Sequence, residues 1–144
     1  MKDYELFEVG NYAYLAGTDQ MVRVLNTFKS QVLVAHYPQS DSDGFTVANK
    51  MMTGIPVSKQ FLREFFFRDV TDTHFFASRP EYACERDGVI VSFQLGTIDA
   101  GGKIDGDHFA YLTAKGKNGY TPARSMHEIQ NYFTHHTNEY LSLF

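Results

Sequence analysis

The stretch that decides the fold reads THFFASRPEYA at residues 73–83 and, after a short polar turn, GVIVSFQL at residues 88–95. The aromatic run at its start favours a short strand, because aromatic and β-branched side chains suit a half-buried pleated surface. Val, Ile and Phe dominate the second part and predict another strand. The sequence therefore predicts a strand, one helical turn beginning near Pro80, and then a strongly β-forming run.

Residue composition places the chain among folded proteins of one domain. It has 144 residues, of which 43% are hydrophobic and 15% aromatic, so residues 1–144 are long enough to bury a core. The formal net charge of −4 argues against nucleic acid as a partner, since affinity for phosphates comes from clustered Lys and Arg.

The cellular setting is predicted from the single cysteine and from the lack of a signal peptide and of long apolar runs. Cys84 is the only cysteine, which excludes an internal disulfide. The first residues lack the apolar core of a signal peptide, and no apolar run approaches the length of a membrane span. We expect a soluble protein of the cytoplasm, without a membrane partner.

Short apolar runs predict strands on both sides of the central stretch. The predicted strands are residues 4–9, 12–16, 31–36, 73–77, 88–96 and a segment near 109–113. Gly10-Asn11 predicts a turn between the first two strands, and the polar residues 38–44 predict a surface loop.

Helical spacing predicts three further elements. One helix is expected from Thr18 or Asp19 to about Phe28, a second over residues 46–53 with Gly54 as its C-cap, and a third from the cap residue Ser58 through Arg68. Residues 125–143 fit either a strand or a helix. No Gly-rich phosphate loop opens a helix, so we predict an α+β domain with small mixed or antiparallel sheets and short helices.

Four motifs in a fixed order make the chain resemble the small ADP-ribosyltransferases. They are VAHYP at 34–38, MMTGIPVS at 51–58, FFASRPEYA at 75–83 and VIVSF at 89–93. The family has a strand ending in His-Tyr-Thr, a helix ending in Gly-Ile before a Ser, an aromatic-Phe-Ala-Ser strand with a Pro-Glu-x-Ala helix, and a Val-rich strand. The resemblance covers residues 32–95 and leaves residues 1–30 outside.

This resemblance implies a split sheet whose cleft binds NAD. His36 is the match for the family's NAD-binding histidine, and Tyr37 beside it offers a flat apolar ring with a polar tip. Phe76, or Phe75, would stack on nicotinamide where many members have Tyr. Ser78 would add a supporting hydrogen bond. Apart from the resemblance, a histidine such as His36 is most often a partly exposed residue at a strand end.

The resemblance also requires a late acidic residue, for which Glu128 is the candidate. A carboxylate fixed beside the developing positive charge of an oxocarbenium-like transition state stabilises that state more than the substrate. Glu128 in the sequence HEIQ does not match a family signature closely, and its alternative interpretation is a solvated helix charge.

Other constellations of residues favour structural roles. The segment Asp99–Asp107 places carboxylates beside glycines, but Leu112 stands where a calcium loop needs a bidentate Glu, so an exposed hairpin turn is predicted. The histidines show no metal-ligand spacing. Cys84 is expected to be a buried thiol inside a helix, and the cluster from Phe61 to Phe67 a core helix, with a partner-binding face as its alternative.

The sequence leaves three functional hypotheses. The first is an NAD-dependent transferase that moves ADP-ribose to a macromolecular acceptor, most simply a protein, as an effector carried by a phage or mobile element. The second is a non-enzymatic acidic protein that inhibits a host protein complex by binding it. The third is a protein that sequesters a small molecule in an aromatic-lined pocket.

Overall fold

A computed structural model describes the fold at residues 6–37, 44–70, 81–94, 110–114 and 119–142. In these residues the chain forms two five-stranded sheets, with every strand pair antiparallel, and two α-helices. One of the sheets is curled into a half-barrel. This confirms the predicted α+β class, although β structure predominates. None of the helices in the residues described has the length and apolar character needed to cross a bilayer.

The first sheet is built from the N-terminal part of the chain. Its strands are β1 (Tyr12–Leu15), β2 (Met21–Thr27), β3 (Gln31–His36), β4 (Phe45–Ala48) and β5 (Met52–Thr53). Their order is β4-β3-β2-β1-β5, so four consecutive strands form a meander and the fifth returns to pair with the first. A 3₁₀ helix, Asn49–Met51, joins β4 to β5. The predictions for residues 12–16 and 31–36 are confirmed.

The second sheet follows the same meander principle. Its strands are β6 (Arg68–Asp69), β7 (Glu81–Arg86), β8 (Val89–Gln94), β9 (Ala110–Ala114) and β10 (Thr121–Ala123), in the order β10-β9-β8-β7-β6. Asp87 and Gly88 connect β7 to β8 with φ values of 51° and 87°. Positive φ at both residues is the signature of a tight hairpin turn whose twist matches the flanking strands.

Two predicted helices are strands in the structure. Met21–Thr27 is β2, in which Val22 and Val24 are buried while the intervening Arg23 faces the other side. Pairing with β1 and β3 outweighs the helical spacing of the apolar residues, and the β-branched valines suit that pairing. Residues 46–53, also predicted as a helix, are divided between β4, the 3₁₀ helix and β5.

Gly54 is therefore not a helix cap. Its role is to let the chain pack closely against Ser125. A Cβ atom at this position would lie 2.6 Å from the Cβ atom of Ser125. Because glycine has none, the chain approaches the segment before the second helix closely enough for Pro56 to form a β-bridge with Ser125. The amide of Met126 donates to the carbonyl of Ile55 at 2.8 Å.

Predictions on the central part of the chain have mixed outcomes. The first helix, α1 (Lys59–Glu64), begins after Ser58 as predicted, and the Ser58 hydroxyl accepts from the amide of Phe61 at 3.2 Å. It ends before Arg68, which belongs to β6. Residues 81–86 form β7 instead of continuing a helical turn, so Cys84 is a strand residue. Pro80 and the strand predicted at 73–77 lie outside the described residues.

The ambiguous C-terminal segment is a helix, α2 (Met126–Thr137). It ends at Asn138, whose φ of 60° is the left-handed conformation common after a helix. Its apolar face packs into the larger of two cores, which contains residues from both sheets and both helices, including Tyr12, Phe65, Phe93 and Phe133. Phe65 and Phe67 are buried, which confirms the core interpretation of the phenylalanine cluster for these two residues.

Two buried amides on α2 fasten the N-terminal segment to the rest of the molecule. Gln130 accepts from the amide of Tyr12 at 2.9 Å and donates to the carbonyls of Gly10 and Leu141, both at 3.1 Å. Asn131 donates to the carbonyl of Leu6 at 2.7 Å and accepts from the Asn11 side chain at 2.7 Å. Both amides are 2% exposed, so they replace water as the partner of these backbone groups.

We expect Gln130→Leu to destabilise the protein by about 2–4 kcal/mol, because three buried backbone groups lose the partner that satisfies them. Urea unfolding followed by circular dichroism measures this change. Gln60→Leu, at an exposed position of α1, is the matched control and should shift stability by no more than about 0.5 kcal/mol. Equal effects of the two substitutions would contradict a stabilising role for the Gln130 amide.

Phe66 occupies a backbone conformation that normally belongs to glycine. It follows the end of α1 with a φ of 64°, and its side chain is 63% exposed. The amide of Phe66 donates to Arg63 O at 2.9 Å and that of Phe67 to Leu62 O at 3.0 Å. This pair of bonds is the Schellman ending of a helix, in which the left-handed residue is usually Gly.

We predict that Phe66→Gly is more stable than Phe66→Ala by about 1 kcal/mol, since both variants lose the ring but only Gly avoids the left-handed penalty. The comparison is made by urea unfolding of the two variants side by side. An Ala variant as stable as the Gly variant would mean that the turn relaxes to another conformation.

Candidate functional site

Residues 6–10, which precede β1, form one wall of a groove, and α2 holds this wall in place. The carbonyl of Leu6 is bonded to Asn131, as described above, and the ring of Phe7 stacks on the buried ring of His127 with 4.1 Å between centroids. Glu8 Oε2 lies 3.1 Å from Nε2 of His135. The segment has no strand structure at residues 6–9, contrary to the prediction, and these side-chain contacts position it instead.

The tip of the β2–β3 hairpin lies across from this wall. The amide of Phe28 donates to Gln31 O at 2.8 Å and closes the hairpin. The 3₁₀ helix is attached to the same tip, because the amide of Asn49 donates to Ser30 O at 3.0 Å. Lys29 and Lys50 are thereby brought to one side of the first sheet.

Between the wall, the hairpin tip and the 3₁₀ helix lies a groove of about 490 Å³. Its apolar lining comes from Leu6, Phe7, Phe28 and Val32, and its polar lining from Thr27, Lys29, Asn49 and Lys50. Leu6 and Phe28 are 50% and 53% exposed, whereas Val32 at the base is buried. The groove is therefore shallow, with large apolar side chains at its rim.

The charged side chains among the described residues of the groove are two lysines. Lys29 and Lys50 are both exposed, and none of the described residues that line the groove is acidic. In the part of the chain that the structure describes, neither lysine forms an ion pair. In a protein of net charge −4, two exposed positive charges therefore lie beside exposed apolar side chains.

His36 and Tyr37 lie at the end of β3, as predicted, and both are half-buried. The ring of His36 lies 4.9 Å from the ring of Phe45 on β4, measured between centroids. Tyr37 meets Tyr12 edge-on at 5.2 Å, and its amide donates to Met21 O at 2.9 Å. The two residues thus form part of an aromatic corner of the first sheet.

Glu128 lies at the start of α2 and has a structural task there. Its carboxylate accepts hydrogen bonds from the backbone amides of Arg124 and Ser125, the latter at 3.1 Å. This is the acidic half of a capping box, and the negative charge is also favoured by the helix dipole. No contact among the described residues joins Glu128 to His36. Phe75, Phe76 and Ser78 lie outside the described residues.

The structure also reveals a serine–histidine pair that sequence reasoning missed. Ser125 Oγ lies 2.9 Å from Nδ1 of His127, and the two residues are 8% and 6% exposed. Such a contact resembles part of a nucleophilic site. Here Gly54 packs on Ser125 and Phe7 stacks on His127, which favours a packing role. The Ser-x-x-Glu pattern at 125–128, a helix-start signature, was the available signal.

Cys84 is a core residue, which confirms the expected buried thiol. It is 0% exposed, and burial raises the pKa of its thiol to about 12. The thiol is therefore protonated at neutral pH and is not an activated nucleophile. In the described ranges, no three His, Cys, Asp or Glu side chains are grouped to hold a metal ion. The predicted turn at Asp99–Asp107 lies outside those ranges.

Comparison with known proteins does not identify a family for this chain. No family model, no curated protein and no solved structure matches it. The resemblance to small ADP-ribosyltransferases therefore stays a hypothesis drawn from short motifs, and function has to be inferred from the geometry.

Proposed function

We propose that this protein is a non-enzymatic binding protein, which holds a segment of a protein partner in the groove beside the β2–β3 hairpin. The observation that carries this proposal is the exposure of Leu6 and Phe28, at 50% and 53%, on the rim of a formed concave surface. Large apolar side chains next to one another in a groove commonly mark an interaction site. An inhibitor of a host protein complex is one protein of this kind.

The groove is held open by contacts within the protein. Its wall is fixed by the Asn131–Leu6 hydrogen bond and the Phe7–His127 stack, and its other side by the hairpin and the 3₁₀ helix. A preformed surface loses little conformational entropy when a ligand binds. This arrangement supports binding without a large rearrangement of the first sheet.

The position of Glu128 also favours a binding protein over the transferase. Both backbone amides before α2 depend on its carboxylate, so the group already has a role that needs no substrate.

Selection from a random 12-residue peptide display library on the immobilised full chain tests the proposal. We expect enriched peptides that bind the wild type and bind Phe28→Asp at least about 10-fold more weakly, because a charge replaces an apolar contact at the rim. Affinities are measured by fluorescence polarisation with the enriched peptides as probes.

Tyr111→Asp is the matched control. Tyr111 is 41% exposed on β9 of the second sheet, so the same loss of an aromatic ring occurs outside the groove. Enriched peptides that bind Phe28→Asp as well as the wild type, or repeated selections without enrichment, would overturn the proposal.

A second candidate function is the NAD-dependent transferase, in which the two sheets would form the split sheet of the ADP-ribosyltransferases. The observation in its favour is the half-buried pair His36 and Tyr37, placed at the end of β3 among the aromatic rings of Phe45 and Tyr12. In this hypothesis His36 and Tyr37 bind NAD with Phe76 and Ser78, Glu128 acts in catalysis, and a protein accepts the ADP-ribose.

Calorimetric titration with NAD, followed by mass analysis of released nicotinamide, separates the two candidates. The transferase hypothesis predicts nicotinamide release that is lost in His36→Ala and in Glu128→Gln. Glutamine also serves in a capping box, so Glu128→Gln should keep the helix start intact. The binding-protein proposal predicts no nicotinamide release by the wild type. Glu139→Gln, an exposed position after α2, is the control for both.

A further inference from the structure

We infer that the segment bound in the groove is an acidic peptide with an apolar anchor side chain. This inference rests on the proposed binding function and names the chemistry of the partner. It follows from the signs of the charges, the depth of the groove and the arrangement of its apolar side chains.

The acidic character of the bound peptide is inferred from charge complementarity with the groove. Lys29 and Lys50 lie on the hairpin tip and the 3₁₀ helix, on the same groove, and no acidic side chain is among its described lining residues. Glu8, the one carboxylate of the wall at residues 6–10, faces His135 of α2 at 3.1 Å. A carboxylate on the ligand would meet the ammonium groups of Lys29 and Lys50, which would set its orientation and speed its encounter.

The apolar anchor of the peptide is inferred from the apolar side chains at the rim and base of the groove. Phe28 and Leu6 are half-exposed, and Val32 closes the base between them. Insertion of one aliphatic or aromatic side chain would remove water from these surfaces, and such a contact contributes more than a neighbouring exposed ion pair. The anchor therefore supplies affinity and the carboxylates supply selectivity.

The depth of the groove favours a peptide over a small molecule or a nucleic acid. Small-molecule sites bury most of the ligand surface, whereas six of the eight described lining residues here are exposed. An extended peptide needs only part of its surface to be covered. Binding to a nucleic acid needs several cations along the backbone, and the described lining offers two in a protein of net charge −4.

The test reads the composition of the peptides that bind in the groove, using the full chain. We expect peptides selected by the wild type, and dependent on Phe28, to be enriched in Asp and Glu around an apolar residue. Their affinity should fall about 3- to 30-fold in Lys29→Gln/Lys50→Gln, since each exposed ion pair contributes a small amount. It should also fall as sodium chloride is raised from 50 to 500 mM.

Lys59→Gln/Arg63→Gln is the matched control. It removes two positive charges from α1, outside the groove, and changes the net charge equally. We expect less than a 2-fold effect on peptide affinity. An equal loss in both double variants would overturn the inference, because the lysines would then act only through overall charge.

Other outcomes separate the inference from the proposed function. Groove-dependent peptides of neutral or basic composition would refute the acidic partner and leave the binding function standing. The absence of any groove-dependent peptide would overturn both. If a 20-nucleotide oligothymidylate binds the wild type and loses affinity in Lys29→Gln/Lys50→Gln, the partner is a single-stranded nucleic acid and the acidic peptide is refuted.

Discussion

The side-chain amide of Gln130 is the constraint on which the arrangement of the molecule depends. One buried group on α2 satisfies backbone atoms before β1, at the start of β1 and after α2. In a sheet these atoms would pair with a neighbouring strand, and the amide takes the place of that strand. The N-terminal and C-terminal segments are thereby attached to the same helix, which packs against the second sheet from within the common core.

The groove is a product of this attachment. The Gly10 amide is bonded to Val24 O of β2, but Leu6 and Phe7, which line the groove, are held by Asn131 and His127 of α2. The other side of the groove is formed within the first sheet, since the Phe28–Gln31 bond closes the hairpin and the Asn49–Ser30 bond attaches the 3₁₀ helix to it. The groove therefore has one side that belongs to the first sheet and one wall that depends on contacts with α2.

The sequence predicted those features that depend on neighbours in the chain. The choice between mixed and antiparallel sheets stayed open, whereas strand β3, the cap at Ser58, the buried state of Cys84 and the α+β class follow from local pattern and composition. Strand β2 did not, because its apolar residues at 21, 22, 25 and 28 fit a helix and only pairing on both sides identifies a strand.

The candidate site was missed for the same reason. Phe28 and Lys29 stood at the end of a supposed helix and Lys50 inside another, so nothing placed them beside Leu6. Glu128 could be selected for its chemistry, yet its hydrogen bonds to the amides before α2 depend on where that helix begins. Phe66 is exposed between two buried neighbours, while the alternative interpretation of the phenylalanine cluster as a partner-binding face stays a prediction.

The span of the Gln130 contacts has a consequence for the order of folding. The amide binds backbone groups 118 and 120 residues earlier in the chain, whereas the first sheet is complete by Thr53. During synthesis the ribosome needs roughly 4–15 s to extend the chain from the end of that sheet to α2. The strands can pair in this interval, but the wall of the groove cannot. A nascent chain should therefore gain the groove last, and truncation before α2 should leave the first sheet without the groove.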